Sequence, residues 1–212
     1  MSYEYLAGWV WYHEIAHSIG DGAAEYTRAC TGIVAQAPHQ SPWHGGNMDH
    51  GPPGPQAVRN ITLQVKYTRG GSLLFQGVDW YWFSTGVTRA VRKGVGSFQE
   101  DWRGGGMPLD ALITTINTGV VPQTSVFRQL LSDPSITPAT PFSTLVQRMA
   151  TIPMAAAEYI IMAGAKPGDG AVIARNTTAA EDILMMDETD DKWFVVNSNY
   201  DRRKGGAFLP DR

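Results

Sequence analysis

A single cysteine, Cys30, is all the thiol chemistry this 212-residue chain holds. That excludes an internal disulfide and any multi-cysteine zinc site, so a chemical role for Cys30 would be that of a lone thiol. Charge is sparse as well: 17% of residues, with 17 Lys+Arg against 20 Asp+Glu and a formal net charge of −3. The basic residues form no cluster able to neutralise a run of phosphates, which argues against a nucleic-acid partner. No apolar run approaches the roughly 20 residues that span a bilayer, so no integral membrane segment is expected. The first residues, Met1-Ser2-Tyr3-Glu4-Tyr5, lack the basic start of a secretory signal.

What the chain does have is 43% hydrophobic residues, enough for one sizeable core, together with 23 Gly and 13 Pro. Such punctuation suits a loop-rich α+β fold better than a helical bundle. Residues 3–19 carry Tyr3, Tyr5, Leu6, Trp9, Val10, Trp11, Ile15 and Ile19 and predict an amphipathic helix ending near Gly20. Cys30–Gln36 reads as a short buried strand. Residues 37–56, with five Pro and three of the five His, read as a loop. Asn60–Thr68 and Ser72–Phe83 alternate as paired strands across Arg69-Gly70-Gly71. After Gly104-Gly105-Gly106 the period changes, and Leu109–Asn117, Thr124–Leu131 and Pro141–Met149 predict three short helices. Ala156–Ala163 and Ala171–Arg175 then predict a hairpin, and Ile183–Asp187 with Lys192–Asn197 a second one. Strands, helices, then strands suggest helices layered on antiparallel sheets.

Two places carry chemistry. His13-Glu14-Ile15-Ala16-His17 satisfies H-E-x-x-H, which on a helix sets two imidazoles on one face for zinc, with the glutamate polarising a water. The third histidine of the longer form would fall at Ala23, and five-residue matches also arise by chance on a helix with two exposed histidines. The other place is Cys30, in Cys30-Thr31-Gly32-Ile33-Val34-Ala35-Gln36. It reads either as a nucleophile or as a small buried apolar residue.

Four collinear blocks bear on that choice. CTGIVAQ at Cys30 is followed by His44-Gly45-Gly46-Asn47-Met48-Asp49, then by the hairpin Ala163–Arg175 with its Lys166-Pro167-Gly168-Asp169-Gly170 turn, then by Trp193-Phe194-Val195-Val196-Asn197-Ser198-Asn199-Tyr200-Asp201. In these blocks the chain resembles the acid ceramidase and N-acylethanolamine-hydrolysing acid amidase family, N-terminal-nucleophile hydrolases related to choloylglycine hydrolases. That family writes C-T-S-I-V-A-(E/Q), H-G-R-N-(M/L)-D, G-G-T-x-P-G-E-G-V-V-I-T-R and W-F-x-V-x-T-N-Y-D in the same order. Its D-D-R-R matches Pro210-Asp211-Arg212.

The resemblance implies an α+β fold, an αββα sandwich of antiparallel sheets whose two ends are shorter here than in the family. It implies cleavage between Ala29 and Cys30, leaving a short segment 1–29 and a hydrolase domain 30–212, the two staying associated. No cofactor is implied. The freed α-amine, titrating near about 7.7–8.0, and the thiol, near about 8.5, are close enough for one to take the other's proton. By the same resemblance Asp49 orients the amine, Asn199 donates to the oxyanion, and Arg212 is a cationic stabiliser. The implied substrate is a fatty-acyl amide, a ceramide or an N-acylethanolamine, with Trp80 and Trp82 as candidate walls of an acyl groove. The implied compartment is the lysosome, with Asn60-Ile61-Thr62 and Asn176-Thr177-Thr178 as glycosylation sequons.

The chain also departs from the pattern. Gly46 stands where H-G-R-N has its arginine, a position His44 or Arg59 would have to make good. An N-E-R element falls at Glu100-Asp101-Trp102-Arg103, where Arg103 matches and Trp102 takes the glutamate's place. The alternatives are an inactive or fragmentary member of the family serving as a lipid-binding or interaction protein and, third, an H-E-x-x-H zinc peptidase.

Overall fold

The computed structural model describes residues 30–48, 59–80, 88–103, 117–187 and 192–199, together with Glu4, Ile113 and Asp201. The predicted helix over 3–19, most of Leu109–Asn117 and the end of the strand at 81–83 lie outside them.

Among the described residues ten strands and two helices follow in order: β1 (Thr31–Ala35), β2 (Trp43–Asn47), β3 (Thr62–Arg69), β4 (Ser72–Trp80), β5 (Arg89–Arg92), β6 (Gly96–Trp102), α1 (Gln123–Ser132), α2 (Phe142–Thr151), β7 (Glu158–Ala163), β8 (Gly170–Arg175), β9 (Ala180–Met185) and β10 (Phe194–Asn197). They form two sheets, one ordered β10-β1-β2 and one ordered β3 through β9 in sequence. Every pairing is antiparallel.

Period-two alternation separates two cores. On one face of the seven-stranded sheet Phe98, Ile160, Met162 and Ile173 pack with Val126, Phe127, Leu131, Leu145 and Met149 of the helices. On the other face Tyr159, Ile161, Val172 and Ala174 meet Val34 and Val195 of the small sheet. β7 and β8 are therefore buried on both sides. The helices form because their apolar residues recur at helical spacing, Phe142, Leu145, Val146 and Met149 in α2. Pro122 and Pro141 stand just before them, where a missing N–H costs nothing.

Two predicted features differ. The loop over 37–56 contains β2, a short glycine-bearing strand lying just after Pro42 and paired with β1 from Thr31↔Asn47 to Ala35↔Trp43. Proline content hid it because β2 is an edge strand, bounded by prolines rather than interrupted by them. The second hairpin does not form as a unit. β9 joins β8, while β10 crosses to the small sheet and pairs with β1, leaving one bridge, Asp187↔Lys192, where the hairpin was expected. The buried Val195 and Asn197 of β10 find their cover across the sandwich rather than beside β9. Strands β5 and the first half of β6 were not anticipated from the sequence.

Candidate active site

Cys30 sits at the head of β1, the middle strand of the small sheet, and is 7% exposed. The chain just after it is gripped from the facing sheet. Gln99 Nε2 donates to the Thr31 carbonyl at 3.1 Å and to Asp101 Oδ1 at 2.6 Å. Asp101 accepts from the Gly32 main-chain N–H. Gln99 and Asp101 alternate along β6, so both point toward β1 while Phe98 and Glu100 point to the helices. Burial pushes the Asp101 carboxyl up to about 8, against its hydrogen bond from Gln99 and the charge of Arg89. Its Oδ2 has no hydrogen-bond partner among the described residues.

Glycines make this contact possible. A Cβ on Gly32 would lie 2.8 Å from Ile161 and 3.0 Å from Gln99 Nε2. A Cβ on Gly46 would collide with the Thr31 carbonyl and the Gln99 amide, whose Nε2 would be 2.9 Å away. The Gly46 backbone is met by a cation instead: Arg89 Nη1 donates to its carbonyl at 3.2 Å. His44, with Nδ1 2.8 Å from Ser97 Oγ, is held down to about 4 by burial and then by Arg89, so its ring is neutral. Arg59 is exposed.

Asn199 lies near Cys30 by topology. The last pair of the β1–β10 ladder is Gly32↔Asn197, and two residues beyond it the chains carry Cys30 and Asn199. Asn199 is 1% exposed and has φ 63, a left-handed conformation that asparagine tolerates. Its Nδ2 donates to the Trp102 carbonyl, and its Oδ1 has no hydrogen-bond partner among the described residues. With its amide oxygen turned inward, Asn197 accepts from Ser198 N and Asn199 N at 3.3 Å.

A charged knot fixes the chain after this turn. Arg103 grips Asp201 through Nε at 2.9 Å and Nη2 at 2.8 Å, and meets Glu181 at 2.6 Å. Tyr159 donates to Asp201 at 2.9 Å.

A groove of about 670 Å³ runs beside this site between β2 and the open half of the large sheet. Its lining includes Trp43, Gly46, Val78, Arg89, Val91 and Gln99. Trp80 lies two residues past Val78 on β4, and so on the same face.

Of the site residues expected from the sequence, Cys30 and Asn199 come together at one end of the small sheet. Asp49, Arg212, Ala29 and Trp82 lie outside the described residues, as do His13, Glu14 and His17. Sequence reasoning missed Gln99 and Arg89. No signal in the sequence singled them out: β6 carries three polar residues in a row, Gln99-Glu100-Asp101, and β5 has an arginine at each end.

No protein-family model matches the chain. The N-acylethanolamine-hydrolyzing acid amidase of Oryctolagus cuniculus is 30% identical over 200 residues, covering 92% of this chain and 54% of the relative. The acid ceramidase of Macaca fascicularis is 24% identical, covering 89% of this chain and 50% of that protein. The solved structure of the Caenorhabditis elegans N-acylethanolamine-hydrolyzing acid amidase ortholog superposes with a TM-score of 0.68 at 28% identity, covering 82% of this chain and 71% of that one.

In sequence and in fold the chain is similar to the acid ceramidases and N-acylethanolamine-hydrolysing acid amidases. It spans about half the length of the curated relatives it matches. Its two antiparallel sheets are this family's fold. Where the family motif places an arginine, the chain has Gly46, and Gln99 packs into the space a side chain there would need. Arg103, the matched residue of N-E-R, is bound to Asp201 of the N-Y-D block.

Proposed function

We propose that this chain is a self-processing hydrolase of a fatty-acyl amide lipid, a ceramide or an N-acylethanolamine, with Cys30 as its N-terminal nucleophile. The observation that carries the reading is the setting of Cys30: a buried thiol heading a central strand, with the next two residues fixed by Gln99 and Asp101. The chain breaks between Ala29 and Cys30, dividing segment 1–29 from the hydrolase domain 30–212, and the two pieces remain associated. The thiolate attacks the acyl carbon, the amine departs, and water releases the fatty acid. Asp49 orients the freed α-amine, Asn199 donates its second Nδ2 hydrogen to the oxyanion, and Arg212 supplies positive charge. Trp80 and Trp82 wall the acyl chain. The working compartment is acidic and lysosomal.

The test is intact mass before and after incubation at acid pH, beside a Cys30→Ala control. Two fragments divided before Cys30, absent from the control, are the expected result. A chain uncut in both, and unreactive to an amide-lipid substrate, would overturn the reading.

Gly46 favours one second reading, an uncleaved family member that binds lipid without hydrolysing it. In that protein the groove still takes lipid while the substrate amide stays intact.

A further inference from the structure

Asn199 lies beyond the β1–β10 ladder, whose last rung is Gly32↔Asn197. It holds a left-handed conformation at φ 63 and is 1% exposed. Its side chain is only half tied among the described residues: Nδ2 donates to the Trp102 carbonyl, and Oδ1 has no hydrogen-bond partner. Such a residue keeps one orientation only where its surroundings over-determine it. The tether comes two residues later. Arg103 holds both oxygens of Asp201, through Nε at 2.9 Å and Nη2 at 2.8 Å. The Tyr159 hydroxyl donates to the same carboxylate at 2.9 Å.

Trp102 and Arg103, consecutive at the end of β6, therefore grip residues 199 and 201 of the chain leaving β10. One strand end of the large sheet brackets the turn that carries Asn199. A planar fork on a carboxylate fixes angle as well as distance, which a single hydrogen bond does not. The pair is also sheltered: the Arg103 side chain is 12% exposed and stands 5.7 Å over the Tyr159 ring. Glu181 shares Arg103 at 2.6 Å, but its side chain is 47% exposed and it belongs to β9 rather than to the turn. An oxyanion donor is effective only at about 2.7–3.1 Å from the charge that develops, so what this bracket supplies is aim.

We propose that Arg103 and Asp201 are positioning residues, whose ion pair aims the Asn199 amide at the reacting carbonyl. The inference rests on the hydrolase reading, in which Cys30 attacks and Asn199 holds the oxyanion. Arg103 and Asp201 act through Asn199 and not on the substrate. Loss of the pair leaves substrate binding in place and weakens an interaction made only in the transition state. Glu181 contributes charge but no aim, so its loss is tolerated.

The experiment measures kcat and KM with N-oleoylethanolamine or N-oleoylsphingosine, whichever the parent hydrolyses faster, per cleaved chain as read by intact mass. Asp201→Asn and Arg103→Lys keep size and part of the hydrogen bonding while breaking the fork. Each is expected to lower kcat about tenfold or more with KM within about twofold. Glu181→Gln should keep kcat within about twofold. Asn199→Ala should lose about 10²–10³ in kcat. Adding Asp201→Asn to it should cost less than about twofold more, because no amide is left to aim. A parental kcat in Asp201→Asn, a loss carried by KM, an equal loss in Glu181→Gln, or losses that multiply in the double variant would overturn the proposal. If Asp201→Asn does not fold by circular dichroism, Arg103→Lys takes its place in the double variant. A parent that neither cuts before Cys30 nor hydrolyses either lipid refutes the hydrolase reading, and the positioning role with it. A parent that does both, with Asp201→Asn its equal, refutes the positioning role alone.

Discussion

Replacing Gly46 by alanine adds one methyl group where β1, β2 and Gln99 of the facing sheet meet. The new Cβ meets the Thr31 carbonyl and the Gln99 amide at once. The Thr31 carbonyl belongs to a strand paired on both sides and cannot retreat. Gln99 is the movable partner, and moving it breaks its 3.1 Å bond to Thr31 and its 2.6 Å bond to Asp101. Overpacking costs about 1–3 kcal/mol, and each lost hydrogen bond about 0.5–1.5 kcal/mol. Gly46→Ala should therefore destabilise the protein by about 2–6 kcal/mol, with Gly46→Arg at least as severe. Urea unfolding followed by tryptophan fluorescence reads this as a lowered midpoint with an unchanged slope. Gln99→Ala in the double variant should relieve the part of the cost that falls on the Gln99 bonds and leave the Thr31 clash, giving a coupling of about 1–2 kcal/mol between the sites. A Gly46→Ala protein within about 0.5 kcal/mol of the parent, or costs that simply add, would refute the reasoning. The arginine of the family motif would then fit this backbone after all.

Three further outcomes are expected. Burial raises the Asp101 carboxyl to about 8 and the Asp79 carboxyl to about 7. The folded state therefore holds protons the unfolded state has lost, and stability falls as pH rises toward 8. The neutral His44, held down to about 4, acts oppositely between about 4 and 6.5, so the fall should be clearest above about 6.5. Urea midpoints across that range should decline in the parent and flatten in Asp101→Asn; parallel curves would refute the assignment. Arg103→Met removes the bidentate grip on Asp201 and should cost about 1.5–3 kcal/mol. Hydrogen exchange should rise first in β10 and the Asn199 turn while β7 and β8 stay protected. Asn199→Asp replaces the Nδ2 donor to Trp102 by a carboxylate facing a carbonyl, and should slow self-cleavage together with thiol alkylation at Cys30; unchanged rates of both would separate Asn199 from the site.

Much of this architecture was legible because the local signals were strong. The Lys166–Gly170 turn between two apolar runs specified the β7–β8 hairpin, and the prolines before α1 and α2 fixed where the helices start. What was illegible depended on partners far away in sequence. Trp43–Asn47 is a strand only because β1 lies beside it, and β10 leaves its sequence neighbour because Asn197 and Val195 are buried against the other sheet. The site followed the same division. The linear blocks pointed to Cys30 and Asn199, but Gln99 and Asp101 reach the thiol's strand, and Arg89 the neighbouring β2, from the opposite sheet. Gly46 read as a lost charge in sequence, whereas in three dimensions its missing side chain is the room that Gln99 occupies.

The position of β1 in the small sheet has a mechanical consequence. It is flanked on both sides, by β2 from Thr31 onward and by β10 up to Gly32, and its buried face meets Ile161. A strand held in this way owes nothing to the covalent bond that precedes it. Continuity of the chain and continuity of the sheet are therefore separable at this one point: a scission before Cys30 would leave a new chain end seated in the interior of the fold, with both ladders still closed around it.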